Sequence, residues 1–383
     1  MSDPAAGAGP SDAWRLWLAS WVFTPLAGVT LGDWLGVLRR HGTDIPPRYW
    51  ARTLFTTLMA AMNSVLARLE KRRCGERLGA VQVRRPVFII GHHRSGTTHL
   101  WNLMAQDPRT ASPTVLQAVF PHSFLTFERL AERWARRLAP TKRPQDNVRF
   151  GPNAPIEEER AICASTFLSI QMARHFPKKR ETFQRFLSMA DATPAERKRW
   201  KHSLDAFARK LLIRYGEDRT LLFKAPDHTA KIALILELYP DARFIHIHRD
   251  PYTVYQSTLK MERTTLPLYA YQRIDEDDGL GPFILWRYQT MYEAFFTDQP
   301  KIPQGQFAET SFDDLERRPV QTLERIYGEL GLPDFASVRP AIERYLVSIG
   351  TYRKNAYAPL ETDLRARVAD AWAPAFAHWG YAQ

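Results

Sequence analysis

The segment Pro86-Val-Phe-Ile-Ile-Gly-His-His-Arg-Ser-Gly-Thr-Thr98 constrains the fold more than any other part of the chain. Val87–Ile90 is apolar without alternation, the pattern of a strand buried on both faces. Gly91 and Gly96 bracket a short turn, and Thr97–Ala105 follows with a helical pattern. A strand that passes through such a turn directly into a helix aims successive backbone N–H groups and a helix N-terminus at one point, which makes an anion site. Arg94 adds a cation there, and Ser95, Thr97 and Thr98 add hydroxyl donors. The two glycines have the spacing of the nucleotide loop G-x-x-x-x-G-K-[ST], but Thr97 stands where that loop has its lysine. An ATP-using site needs that lysine beside its Mg²⁺. A cradle with its cation inside the loop suits a different anionic ligand, and a small-molecule kinase is the rival reading.

A second motif, Arg243-Phe-Ile-His-Ile-His-Arg-Asp-Pro-Tyr-Thr-Val-Tyr-Gln-Ser257, has the same build. Phe244–Ile247 reads as a buried strand ending at Arg249, Asp250 and Pro251 as a helix N-cap with a first-turn proline, and Tyr252–Met261 as the helix. Leu221–Phe223 before Lys224 is a further buried strand, and Gln306–Phe312 is another short apolar run. Strands alternating with helices predict an α/β fold, a P-loop-like parallel β-sheet flanked by helices. Residues 1–85 read as a helical N-terminal segment and 86–383 as the α/β domain. Residues 107–218 are too many for a loop. They read as a helical insertion, a lid over the sheet, with helices near Ser123–Leu138, Glu157–Ala173 and Pro194–Leu212 between Pro-rich breaks at Pro140, Pro144, Pro152 and Pro155. Residues 264–303 read as a second connection that carries Pro267 and an acidic cluster, Asp275 to Asp278, and is helical at Tyr288–Phe296. The chain after Pro319 reads as helical.

The two motifs together resemble the sulfotransferase superfamily, in particular large bacterial members with G-H-x-R-S-G-T-T and R-F-[IV]-H-I-H-R-D-P, and the likeness covers nearly the whole chain. It extends to Phe223-Lys-Ala-Pro-Asp-His228, to Ser311-Phe-Asp-Asp-Leu-Glu-Arg-Arg-Pro319 and to Tyr352-Arg-Lys-Asn355. The resemblance implies transfer of a sulfuryl group from 3′-phosphoadenosine 5′-phosphosulfate (PAPS) to a hydroxyl or amine, without a metal. It implies that Arg94, Ser95, Gly96, Thr97 and Thr98 hold the 5′-phosphosulfate. Arg249 and Ser257 would hold the 3′-phosphate, with Arg353, Lys354 and Asn355 near the 3′-phosphate and adenine. Three positions depart from the family pattern: Ala225 for a hydroxyl residue, Phe312 for tyrosine, and His93 for an aromatic residue.

In-line transfer needs charge neutralisation at the leaving phosphate and a base for the acceptor. Lys224 is the candidate for the first. Candidates for the base are Glu157 or Glu159 in Pro155-Ile-Glu-Glu-Glu-Arg-Ala161, then His228, with Glu158 and His122 behind them. First-turn acids also simply complement a helix dipole. His246 and His248 share a strand face with no third ligand at suitable spacing, so they read as a packed pair.

The 383 residues carry a net +12, which alone suits any polyanion. The motif-bearing segments 86–106 and 219–383 sum to −2, and the surplus lies in 1–85, at +6, and 107–218, at +8. No zinc finger, RNP signature or dense basic tail argues for nucleic acid. A non-catalytic binder of membrane lipid is the remaining rival. Two cysteines, Cys74 and Cys163, fit a reducing, cytoplasmic compartment. Residues 16–38 are long enough to cross a bilayer, but Pro25 and Asp33 interrupt them. With Trp14, Trp17 and Trp21 on one face, that stretch reads first as a packed helix and second as a peripheral anchor at the inner membrane surface. The acceptor is a small molecule, lipid or glycan. Phe120, Phe124, Phe127, Phe167 and Phe176 either line its pocket or fill the core.

Overall fold

The computed structural model describes residues 21, 22, 24–138, 151–274, 279–350 and 360–383. Five parallel strands form one sheet in the order β2-β3-β1-β4-β5: β1 Val87–Ile90, β2 Thr110–Ala111, β3 Thr220–Lys224, β4 Arg243–His248 and β5 Phe307–Ser311. Only β2, two residues long, has no counterpart among the expected runs, because two residues carry no period.

Strand periodicity explains the unbroken apolar runs. Val87 and Ile89 face one core with Leu100, Trp101, Leu222, Ile245, Ile247 and Ile326. Phe88 and Ile90 face the other with Phe223, Phe244 and Trp200. Each strand therefore needs apolar residues at consecutive positions.

The helices that matter for the site are α1 Leu31–His41, α2 Trp50–Ala80, α3 Thr97–Met104, α4 Glu159–Thr166, α5 Pro194–Tyr215, α6 Pro251–Tyr269, α7 Leu280–Asp298, α8 Thr362–Ala371 and α9 Ala373–Trp379. α5 opens with a capping box between Thr193 and Glu196, and α6 with the Asp250 carboxylate accepting from the Thr253 amide at 2.8 Å, each with proline at the first position.

Several sequence expectations change. The helix expected over Glu157–Ala173 is broken: Phe167 turns left-handed at φ 59° and closes α4, and a separate turn of helix follows at Met172–His175. Pro267 lies inside a helix, in the last turn of α6, where it removes one N–H from the helical ladder. The described part of residues 16–38 is not a single helix. A 3₁₀ turn at Pro25–Gly28 separates Trp21 and Val22 from α1, and Trp34 is fully buried. Trp14 and Trp17 lie outside the described residues, as do Pro140, Pro144 and the acids from Asp275 to Asp278. Phe124, Phe167 and Phe176 pack in the core.

The N-terminal layer packs on the insertion. Glu70 of α2 pairs with Lys210 of α5 at 2.6 Å, and Asn63 donates to the Ala27 and Val29 carbonyls at 2.7 and 3.1 Å. Among the described residues no helix is long and apolar enough to cross a membrane.

Candidate active site

β3 lies on one side of β1 and β4 on the other, so the chain reverses its direction of travel across the sheet at β1. In open α/β sheets, the crevice beyond the strand C-termini at such a point is where ligands sit. The register brings three ends together there. Ile89 is level with Lys224, and Ile90 is level with His246, two residues before His248.

The loop after β1 needs both its glycines. Gly91 has φ +134° and Gly96 φ +103°, and a Cβ on either would drive into the Ile247 carbonyl oxygen or the Phe312 ring. Arg94 is held at φ 70°, a left-handed conformation that costs an arginine roughly 1 kcal/mol or more. Both the amide and the hydroxyl of Ser95 donate to the His92 carbonyl, at 3.2 and 2.7 Å, and fold the loop back on itself. The Ser95 hydroxyl is thus engaged within the loop. Thr97 and Thr98 begin α3, where backbone N–H groups have no preceding carbonyl in the helix and carry the positive end of its dipole.

The second motif meets the first. Arg94 Nε donates to Ser257 Oγ at 2.9 Å, and Arg249 Nη1 donates to the Arg94 carbonyl at 3.4 Å. The Arg249 guanidinium lies 4.2 Å from the centre of the Phe312 ring, so the residue in the usual tyrosine position packs against a cation. Arg353, Lys354 and Asn355 lie outside the described residues.

Beside this cradle stands Lys224, whose side chain is nearly buried. Its Nζ donates to Glu157 Oε1 at 2.7 Å and lies 5.1 Å from the Trp101 ring centre. Burial opposes ionisation of Glu157, but Lys224, with Arg160 after it, outweighs burial and holds the carboxyl at about 2.

The next two acids turn inward. Glu158 accepts from the Lys224 amide at 3.0 Å, and Glu159 accepts from Ser169 Oγ at 2.8 Å; both are fully buried. His228, also fully buried, lies between them. Its Nε2 is bonded to Glu159 at 3.1 Å, and its Nδ1 lies 3.1 Å from Glu158, off line for a hydrogen bond. Burial alone would lower its pKa, but Glu158 and Glu159 raise it to about 9, so His228 is an imidazolium at neutral pH. His122 is elsewhere, with Lys210, Asp33 and Arg199 as charged neighbours, and burial lowers its pKa to about 4.

Behind Glu157 lies a chain of ions that sequence reasoning missed. Arg287 donates to Asp227 at 2.6 Å and to Glu262 at 3.4 Å, and Arg174 grips Glu262 with a two-bond fork at 3.0 and 2.6 Å. Lys231 lies 3.4 Å from Glu159. His93 Nε2 accepts from Arg287, and burial together with Arg287 lowers its pKa, so this ring is neutral. Burial resists the charge on Glu262, but the Arg174 fork holds it at about 2. One signal was available: Arg287 is the lone charge in Leu280-Gly-Pro-Phe-Ile-Leu-Trp-Arg-Tyr288, an otherwise apolar stretch of α7. Such a residue needs a buried partner.

His246 and His248 stack against Trp379 of α9, with ring centres 5.4 and 4.8 Å away, and His246 bonds Glu309 at 2.8 Å. Among the described residues no group of three or more His, Cys, Asp and Glu is arranged to hold a metal ion.

A family model described as "Sulfotransferase family" matches residues 86–337. The chain is 30% identical over 370 residues to the omega-hydroxy-beta-dihydromenaquinone-9 sulfotransferase Stf3 of Mycobacterium bovis and of Mycobacterium tuberculosis, covering 96% of this chain and 93% of each relative. The chain belongs to the sulfotransferase family. As a sulfotransferase it transfers the sulfuryl group of a sulfate donor, and the kinase and non-catalytic readings fall away. The fold agrees. Sulfotransferase STF9 from Mycobacterium avium superposes with a TM-score of 0.70 at 19% identity, over 88% of this chain and 86% of that one. STF1 from Mycobacterium tuberculosis superposes at 0.65 and 18%, over 90% and 92%.

Proposed function

We propose that this sulfotransferase moves the sulfuryl group of PAPS to a hydroxyl of a small-molecule or lipid acceptor, with Glu157 as the general base. The observation that carries the reading is the meeting of Arg94, Ser257 and Arg249 at one side of the β1 loop, with Lys224 and Glu157 at the other. PAPS has two anionic ends, and two donor sets, the start of α3 and the Arg249–Ser257 corner, suit them. The helix-start amides of Thr97 and Thr98 and the close-approach glycines suit the 5′-phosphosulfate. Arg249 and Ser257 suit the 3′-phosphate.

The acceptor oxygen forms its bond to sulfur as the bond from sulfur to the 5′-phosphate oxygen breaks. The acceptor proton passes to Glu157, and adenosine 3′,5′-bisphosphate leaves. The Lys224–Glu157 pair couples these events. While paired, Glu157 is a weak base, because Lys224 stabilises its charge. A Lys224 drawn to the departing oxygen neutralises that oxygen and at the same time makes Glu157 more basic. Glu159 and His228 support the site as a buried ion pair: neither has free capacity to take a proton from an acceptor. The name of the mycobacterial relative, which specifies a hydroxylated menaquinone, supports a lipid hydroxyl as the first acceptor class to try.

Calorimetric titration with adenosine 3′,5′-bisphosphate tests the donor site. Binding should be saturable and about a hundredfold weaker in Arg249→Ala, the loss of a charged hydrogen-bond partner. No binding, or binding that Arg249→Ala leaves unchanged, refutes the donor assignment.

A further inference from the structure

The outer face of α2 carries an apolar stripe that the described residues leave exposed. Trp50, Leu54, Leu58, Met62, Val65 and Leu69 are 61, 60, 63, 44, 54 and 37% exposed. At 3.6 residues per turn they fall within an arc of about 120°, over an axial length of about 29 Å. The buried residues of the same helix, Arg52, Thr56, Ala60, Asn63 and Glu70, lie on the opposite arc. The stripe is therefore not a frayed edge of the core but a second, outward-facing apolar surface. Scattered exposed apolar residues need no explanation, whereas an aligned run of six with a tryptophan at its end marks an interaction surface.

The flanking charge identifies the partner. Arg68 and Arg72 continue the stripe's own face toward the helix C-terminus, and Lys71 and Arg73 flank it; all four are exposed. Glu76 is the only exposed acid between Arg68 and Arg77, since Glu70 is buried against Lys210. A helix with apolar residues along one face, a tryptophan at one end and a cationic cluster at the other matches the chemistry of an anionic lipid surface: acyl chains for the stripe, headgroups for the cations. A second copy packed stripe to stripe would offer the four cations a single exposed acid of α2, Glu76. Residues 1–20 hold two acids and one arginine, too little charge to match it.

We propose that α2 is a membrane-docking helix that seats the enzyme on an anionic bilayer through this stripe and its terminal cations. The proposal stands on the surface of α2 alone and does not depend on the donor or acceptor assignments. In this arrangement α2 lies in the interface plane rather than across it, and the +6 of residues 1–85 acts toward lipid.

Co-sedimentation of the full chain with phosphatidylcholine vesicles, with and without phosphatidylglycerol, tests it. Binding should require phosphatidylglycerol and fall as salt rises. Leu54→Glu/Leu58→Glu should weaken it by more than about tenfold, and Arg68→Ser/Arg72→Ser should weaken it and flatten its salt dependence. These positions are exposed, so the variants should keep the unfolding temperature and the adenosine 3′,5′-bisphosphate affinity of the parent. Absence of binding to phosphatidylglycerol vesicles overturns the proposal. So does binding that the Leu54→Glu/Leu58→Glu variant retains while removal of residues 2–20 abolishes it. Light scattering that shows a dimer, turned into a monomer by Leu54→Glu/Leu58→Glu in the absence of lipid, assigns the stripe to a second copy and overturns it as well.

Discussion

The charge state of His228 decides between two assignments of the base, and it can be measured. The ring is fully buried, bonded through Nε2 to Glu159 and 3.1 Å from Glu158 through Nδ1, with Trp200 at right angles to it and Phe88 tilted beside it. Its pKa rises from 6.5 to about 9. At about 1.4 kcal/mol per tenfold change, that rise corresponds to about 3 kcal/mol of stability, taken to order of magnitude for a buried group. The sign follows from the direction: a pKa raised by folding contributes fully below 6.5, and the contribution is lost as pH climbs from there through 9. Urea unfolding of the parent should therefore lose about 3 kcal/mol between pH 6.5 and pH 9.5 beyond the change seen in His228→Gln, which cannot titrate. That variant leaves Glu158 without its cation and Glu159 with Lys231 alone, and should itself be less stable by about 3–5 kcal/mol. If it does not fold, the ring resonance of ¹³C-labelled histidine in the parent reads the same quantity, with a midpoint well above 7. In kcat/KM, no limb near pH 6.5 should trace to this ring. A His228 midpoint at or below 6.5, or an acid limb near 6.5 lost in His228→Gln, would show a neutral imidazole able to take the acceptor's proton. Either refutes the assignment of Glu157 in its place.

Three further outcomes follow from the site. Glu157→Gln should lower kcat by roughly 10²–10⁴ while leaving adenosine 3′,5′-bisphosphate affinity within about twofold, measured by sulfate transfer from labelled PAPS and by calorimetry. Lys224→Ala should lower kcat by roughly 10²–10³, and the double variant should cost clearly less than the product of the two, because each residue acts through the other. Gly96→Ala should lower stability by roughly 1–3 kcal/mol, since it combines a left-handed φ with a Cβ driven into Phe312; thermal unfolding would show it.

The parts of the fold that were legible in the sequence are those whose constraints are local. Val87–Ile90, the two glycines and the start of α3 are specified within about a dozen residues, and so are Arg243–His248 and the Asp250-Pro251 cap. The encounter of Arg94 with Ser257 could be expected only through resemblance, because 163 residues separate them. Glu157, Glu158 and Glu159 show where local reading ends. Consecutive acids before a helix look interchangeable in sequence. The chain is still irregular at Glu157 and becomes helical at Glu159, so the three carboxylates diverge: one to Lys224 Nζ, one to the Lys224 amide, one to Ser169 and His228. Which of them can serve as base is fixed by partners more than 60 residues away, except for Ser169. The pairing of Arg174, Asp227, Lys231, Glu262 and Arg287 was hidden for the same reason: each meets a partner distant in the chain, and only the lone charge of Arg287 in an apolar stretch signalled that a partner was needed.

That hidden cluster also explains what the net charge means. Glu157, Glu158, Glu159, Asp227 and Glu262 face Lys224, Lys231, Arg174, Arg287 and the protonated His228, five anions against five cations. Buried ion pairs contribute little net stability over apolar packing, but removal of one partner is costly, so such a cluster resists change in any one member and fixes the geometry of its rim. Lys224 and Glu157 form that rim. Since this cluster cancels, it takes no share of the surplus of +12, which acts at a distance where its cations are exposed. Discrete cations suit a donor held at one point, and a diffuse positive surface in the N-terminal layer and the insertion suits an extended anionic surface. The two uses of positive charge are separated in sequence and in space, so the exposed cations of α2 can be removed without disturbing the cluster that holds Lys224 and Glu157.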